Sequence, residues 1–178
     1  MRFGLITAAG ACAILAACGG PETKRADNYS KATKSAAVAM LAATRVSGEQ
    51  AHKIMHERHE GMESVGKNNK VIKRELDAAS PNLGTVRSSA AQLANLSARA
   101  SGWFPAGTGP DIGKTGAKPE IWQDQKDFVG KLAAWQKAVR AFNVAAKGGD
   151  VNAIKARFAD MGGTCKACHD KYRSEMHH

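Results

Sequence analysis

The stretch Cys165-Lys166-Ala167-Cys168-His169 decides the interpretation of this 178-residue chain. On a helix its two Cys and its His occupy positions i, i+3 and i+4, so that all three share one face. The spacing is that of c-type haem attachment, in which each thiol adds to one vinyl group and the imidazole supplies an axial nitrogen to the iron. It predicts one covalent haem c, attached through Cys165 and Cys168, with His169 as the proximal axial ligand.

Three other sites use similar residues. A thioredoxin-like redox pair requires a βαβ context, and the sequence contains no pattern typical of a sheet. A structural zinc site requires a second ligand pair, and no second Cys pair is present. A disulfide between Cys165 and Cys168 is the third alternative, but it gives His169 no role.

Apolar residues extend the face of this motif backwards, which predicts a helix beginning after Asp150. Its inward positions are Val151, Ile154, Phe158 and Met161. Similar three- and four-residue spacing predicts helices over about 47–79, 83–102 and 119–148, with a long Gly- and Pro-rich loop over 103–118. Four amphipathic helices with mostly short links predict an all-α fold, an antiparallel four-helix bundle that encloses the haem.

The N-terminus has the features of an export signal. Arg2 precedes an apolar run that is too short to span a bilayer. The run ends Leu15-Ala16-Ala17-Cys18-Gly19, which resembles a bacterial lipoprotein signal, and an ordinary secretory signal is the alternative. We therefore expect a signal peptide over 1–17, an acylated N-terminus and tether over 18–46, and a haem domain over 47–178. This organisation places the protein in the periplasm of a Gram-negative bacterium, anchored to a membrane by lipid at Cys18.

The charge balance is basic, with 26 Lys and Arg against 16 Asp and Glu. Loss of Arg2 with the signal leaves a formal charge of +9. An exported protein rarely meets nucleic acid, so we expect none as a partner. An anionic membrane surface or an acidic protein fits this charge better, and ordinary solvated helix faces are the remaining interpretation.

Several short motifs, taken in order, resemble the class II cytochromes c, the cytochrome c prime family. Tyr172 and Arg173 match the family's His-x-x-Tyr/Phe-Arg ending, and the segment 118–122 (Lys-Pro-Glu-Ile-Trp) matches the opening of its third helix. Arg58-x-x-x-Met62, followed by Gly66 and Asn68, matches its first helix. The resemblance extends over about residues 48–176.

This resemblance implies roles for single residues. Arg58, with His59 beside it, is expected near a haem propionate, and Arg173 near the proximal side. Met62 is expected to face the iron opposite His169. In low-spin members a Met at this position binds iron, whereas in high-spin members the residue there only covers an open face.

Two functions follow from these alternatives. The first is one-electron transfer to an unidentified redox partner, with His169 and Met62 as axial ligands; Lys166, Lys171 and Arg173 could steer an acidic partner. The second is binding of nitric oxide or carbon monoxide at five-coordinate iron that Met62 merely covers. We expect no enzymatic activity, and the resemblance implies a homodimer through the first two helices. His52, His56 and His59 recur at helical spacing, either as exposed residues or as a metal site.

Overall fold

The computed structural model describes Val46 and residues 48–175. The expected signal peptide, Cys18, the tether up to residue 45, Ser47 and residues 176–178 lie outside these described residues.

Helices account for most of the described chain. In order they are α1 (Gly48–Asp77), α2 (Leu83–Arg99) with a 3₁₀ turn (Ala100–Gly102), α3 (Glu120–Gln123), α4 (Gln125–Gly148) and α5 (Val151–Tyr172). Between residues 48 and 175 the only β-type pairing is an isolated bridge between Ala117 and Arg173. The all-α prediction is confirmed.

Local signals set the boundaries of the long helices. Asn82 Oδ1 accepts a hydrogen bond from the Thr85 backbone N–H at 3.0 Å, which satisfies a free donor at the start of α2. Asp150 caps α5 as expected, with its Oδ1 2.9 Å from Asn152 N. Gly149 ends α4 in the left-handed conformation, at a φ of 82° that other residues rarely adopt. The turn between α4 and α5 is therefore only two residues long.

The helix predicted over 119–148 is wrong in one respect, because it is broken at Asp124. This residue leaves the helical region, with φ −118° and ψ 59°. Its carboxylate accepts from the Asp127 backbone N–H at 3.4 Å and so starts a new helix. Ile121 and Phe128 remain buried on either side of the break, both packed with Tyr172. The helical spacing of apolar residues therefore continues across Asp124, so the sequence pattern does not indicate the break.

The helices pack in the order α1–α2–α4–α5. Gln136 Nε2 donates to Ser97 O at 2.8 Å, and Arg87 Nε donates to Ala146 O at 3.2 Å, so α2 and α4 run antiparallel. A ring contact between Phe142 and Phe158, with centroids 5.6 Å apart, joins α4 to α5. Helices α1 and α5 are not closely packed along each other, and a cavity lies between them.

The core fills the remainder of the bundle. Its fully buried large side chains are Ile72, Val86, Leu93, Val139, Phe142, Ile154 and Met161. On α1, Arg58, Val65, Ile72 and Leu76 are buried, whereas Ile54, Met62 and Asn69 are half-buried. No helix among the described residues is both long and apolar enough to cross a bilayer.

Candidate haem site

A cavity of about 1070 Å³ lies between α1 and α5. Its inner wall is apolar and includes Phe128, Leu132 and Trp135 of α4, and residues 113–117 of the long loop close one side. Cofactor pockets in proteins typically have volumes of about 300–1,000 Å³ and mostly apolar linings. The size and lining of this cavity therefore suit a large, flat, apolar group.

Cys165, Cys168 and His169 all line this cavity from α5. Burial raises the pKa of both thiols. Burial, and then the charge of Arg173, lower the pKa of His169, which favours the neutral imidazole that can bind a metal. The structure thus brings the three residues of the motif to one wall, in the arrangement that the sequence predicts.

Met62 lines the same cavity from α1. Its side chain is half-buried and packs against the hydrophobic core. Two turns further along, Asn69 also lines the cavity, and its Oδ1 is buried with no hydrogen-bond partner among the described residues. Two thiols that can attach a porphyrin, and an imidazole and a thioether that can bind its iron, surround an apolar space, and this set of groups fits a c-type haem.

Arg58 has a role that the sequence does not reveal. Only 4% exposed, it donates four hydrogen bonds into the loop that follows α2. Nη1 donates to Trp103 O (3.0 Å) and Thr108 Oγ1 (3.1 Å), and Nη2 to Thr108 O (2.9 Å) and Thr115 Oγ1 (3.0 Å). The guanidinium also lies 5.2 Å from the centre of the Phe104 ring. Burial lowers the pKa of Arg58 to about 10, so that it stays charged at neutral pH.

These contacts identify Arg58 as the anchor of the loop that walls the cavity. Its partners lie 45 to 57 residues away in sequence, so no local pattern indicates them. Arg58 also lines the cavity itself, and the expected contact with a propionate stays a prediction.

His59 lies at the exposed rim of the cavity, together with His52 and His56. Its Nε2 is 3.4 Å from Glu63 Oε1, and Glu63 Oε2 also pairs with Lys67 at 3.2 Å. His59, Glu60 and Glu63 present ligand atoms within 4.8 Å of one another. All three are exposed.

Main-chain hydrogen bonds tie the end of α5 to the loop that closes the cavity. Lys118 N donates to Tyr172 O and Ser174 N donates to Gly116 O, each at 2.9 Å. These bonds flank Arg173, which is exposed and lines the same cavity as His169; its expected place on the proximal side of the haem stays a prediction.

Side-chain bonds fix the register of α5 on the start of α4. The Tyr172 hydroxyl donates to Asp127 Oδ2 at 2.7 Å. Lys171 Nζ donates to Asp124 Oδ2 at 2.8 Å and to Asp127 Oδ2 at 3.0 Å. Lys166 pairs with Asp170 at 2.6 Å. Two of the three cations that the sequence offers for steering a partner, Lys166 and Lys171, are therefore engaged in ion pairs.

The sequence model of the family described as Cytochrome C' matches residues 53–173. This chain belongs to the cytochrome c' family. Cytochrome c' of Allochromatium vinosum is 36% identical over 124 residues, which cover 66% of this chain and 78% of that protein. With most curated relatives the matched stretch spans about half of the relative's length.

Solved structures of the family share the fold. Cytochrome c prime from Shewanella frigidimarina is 33% identical, with a TM-score of 0.66, over 72% of this chain and all of that one. A cytochrome c' with a ligand-controlled dimer dissociation is 28% identical (TM-score 0.66; 72% and 100% covered). A ferrous variant from Alcaligenes xylosoxidans with bound NO is 26% identical (TM-score 0.65; 73% and 100% covered). As in its family, the cofactor of this cytochrome is one covalent c-type haem.

Proposed function

We propose that this cytochrome c' is an exported one-electron carrier in which Cys165 and Cys168 hold the haem and His169 and Met62 bind its iron. The observation that carries the proposal is the position of the two axial candidates: the imidazole on α5 and the thioether on α1 line one cavity between two helices that do not pack closely together. The haem supplies the redox centre, and a Met ligand raises its potential.

The chain's own residues position and shield that centre. Phe128, Leu132 and Trp135 exclude water from the inner side of the cavity. Arg58 holds the loop that forms another wall. The Tyr172–Asp127 and Lys171–Asp124 bonds hold the turn after His169 on α4. A site fixed on several sides reorganises little when an electron arrives or leaves, which is what an electron carrier requires.

The axial assignment is tested with Met62→Leu, which preserves bulk and removes the sulfur. Optical and electron paramagnetic resonance spectra of the holoprotein are expected to change from low-spin six-coordinate to high-spin five-coordinate iron. Met55→Leu is the matched control, since Met55 lines the same cavity and is 8% exposed. A Met62→Leu spectrum identical to that of the unaltered protein would exclude Met62 as a ligand.

A second candidate function is binding of nitric oxide or carbon monoxide. The NO-bound Alcaligenes relative supports it, as does the packing of Met62 against the core, because a packed side chain can cover an open iron face without binding it. In that case the unaltered ferrous protein binds carbon monoxide in one fast step. With Met62 as a ligand, binding is slow and limited by dissociation of the sulfur.

We also propose how the protein is exported, anchored and assembled. Residues 1–17 act as the signal, Cys18 carries the lipid, and the segment up to residue 46 tethers the haem domain in the periplasm. Two chains pair through α1 and α2, which the dimeric relative supports. The redox partner is another protein, and no nucleic acid takes part.

A further inference from the structure

The positive charge of the described domain is concentrated on two helices. Residues 48–175 contain twenty Lys and Arg and fourteen Asp and Glu, a net charge of +6. Helices α2 and α4 together contain seven Lys and Arg and a single acid, Asp127, which is also a net charge of +6. The other described segments are therefore balanced, and α2 and α4 carry the whole excess.

On α4 these charges form one continuous stripe. Positions 126, 129, 133, 137, 140, 144 and 147 lie within about 60° of one line along a helix with 3.6 residues per turn. They hold Lys126, Val129, Ala133, Lys137, Arg140, Val144 and Lys147, and all are exposed. We call these seven residues the α4 stripe. It contains no acid, and within the described chain none of its four cations is ion-paired or hydrogen-bonded to another side chain.

The α4 stripe also holds the exposed apolar residues of the domain. Val129, 39% exposed, and Val144, 69% exposed, are the only large hydrophobic side chains left exposed among the described residues. The stripe is about 31 Å long from first to last residue by helical rise, and a cluster of Lys and Arg on one exposed helix face is the feature that an anionic lipid surface attracts.

We propose that the α4 stripe rests on the surface of an anionic phospholipid bilayer. Charge complementarity favours this occupant, because each Lys or Arg near such a surface contributes about 1 kcal/mol. The composition disfavours a protein partner: three of the four cations in the stripe are Lys and it has no aromatic residue, whereas protein interfaces are enriched in Tyr, Trp and Arg and depleted in Lys. The proposal requires neither the lipid at Cys18 nor a particular set of iron ligands.

This docking also orients the cofactor. Phe128, Leu132 and Trp135 face the cavity from the side of α4 opposite the stripe. The rim of the cavity, with His52, His56 and Arg173, belongs to α1 and the end of α5. A bundle lying on its α4 stripe therefore directs the rim away from the bilayer, towards partners that diffuse in the aqueous phase.

The test uses the mature holoprotein with Cys18→Ser, exported through an ordinary secretory signal so that it carries no acyl chain. It is mixed with phosphatidylcholine vesicles that contain about one third phosphatidylglycerol, or none, and the bound fraction is measured by cosedimentation. We expect binding to the anionic vesicles only, and its loss in high salt. Equal binding to both vesicle types, or to neither, overturns the proposal.

Matched variants locate the contact. Lys137→Gln with Arg140→Gln is expected to weaken partition about 25-fold, fivefold for each charge. Lys53→Gln with Lys155→Gln removes the same charge from exposed positions on α1 and α5 and is expected to have little effect. Val144→Ser tests the apolar contribution at constant charge, with a loss of about threefold.

Three results contradict the inference. Equal losses in the two charge variants mean that net charge, and not the stripe, determines binding. A change from dimer to monomer with Lys137→Gln and Arg140→Gln, seen by analytical ultracentrifugation, assigns the stripe to a second copy of the chain. No effect of the stripe variant on vesicle binding assigns the contact to another face.

Discussion

Arg58 and Thr108 lie fifty residues apart in sequence and are joined by two hydrogen bonds, from Nη1 to Oγ1 at 3.1 Å and from Nη2 to the carbonyl oxygen at 2.9 Å. Thr108 is completely buried. The pair fixes the centre of a loop that contains almost no regular structure, and through that loop it fixes one wall of the cavity.

Replacing Arg58 by Lys is expected to destabilise the holoprotein by about 3 kcal/mol. A single ammonium cannot reach the carbonyl oxygens of Trp103 and Thr108 together with the Thr115 hydroxyl, and a buried acceptor without a donor costs about 1–3 kcal/mol. Urea unfolding measures the change, with Arg99→Lys as the exposed control. A loss no larger than that of the control contradicts the anchoring role.

Gly61→Ala is expected to destabilise the protein although alanine favours helix. A Cβ at position 61 would lie 2.4 Å from two ring carbons of the buried Trp103. The shift needed costs about 1–3 kcal/mol, more than the gain in helix propensity of about 1 kcal/mol. Gly130→Ala on α4 is the control, since a Cβ there meets nothing within 4 Å. Thermal melting of the two variants should show changes of opposite sign.

Stability is expected to fall between pH 10 and about 12. Burial, and then the hydrogen bond donated to Asp127, raise the pKa of Tyr172 to about 12 from an unfolded value of about 10. A group with a raised folded pKa contributes its full stability below the unfolded pKa and loses it as the pH rises through the folded pKa. Hydrogen bonds to Asp124 and Asp127 raise the pKa of Lys171 as well, which adds to the same decline.

Tyr172→Phe measures the tyrosine's share of this decline. The free energy of unfolding, followed by urea titration from pH 8 to pH 12, should fall less steeply in the variant. At pH 8 the variant shows only the constant cost of the lost hydrogen bond, which serves as the internal reference. Parallel pH curves for the two proteins would mean that Tyr172 does not contribute to the decline.

Cys18→Ser is expected to abolish lipid attachment. The mature form of the natural protein should have a mass that includes the haem and also the acyl chains. It should stay with membranes after a high-salt wash. The variant, exported through an ordinary secretory signal, should be released by that wash, since salt weakens electrostatic but not hydrophobic attachment. Retention of the variant after the wash contradicts an anchor at Cys18.

Much of the bundle can be predicted from sequence because its signals are local. The apolar spacing of α5, the Asp150 cap and the Gly148-Gly149 end each involve residues within a few positions of one another. The motif at 165–169 identifies the cofactor for the same reason. The break at Asp124 is also local, but Ile121 and Phe128 keep the helical spacing on both sides of it, so the pattern hides it.

Contacts between distant segments could not be predicted. Nothing near Arg58 indicates that its guanidinium serves the loop, and nothing near Gly61 indicates that Trp103 lies against it. The ion pairs of Lys171 depend on where α5 meets the break between α3 and α4. Each of these contacts depends on how the helices pack. The apolar pattern of the sequence shows which face of a helix is buried, but it does not show which residues that face contacts.

The sparse packing between the first and last helices also affects the fate of newly made chains. A polypeptide that fails to acquire its porphyrin keeps the three closely packed helix pairs, but its first and last helices have little direct packing. A covalently attached porphyrin packs between these helices only in the folded form, which lowers the population of opened molecules, and proteolysis follows that population. We therefore expect proteases to degrade chains without haem first, so that most of the cytochrome that remains in the cell carries its cofactor.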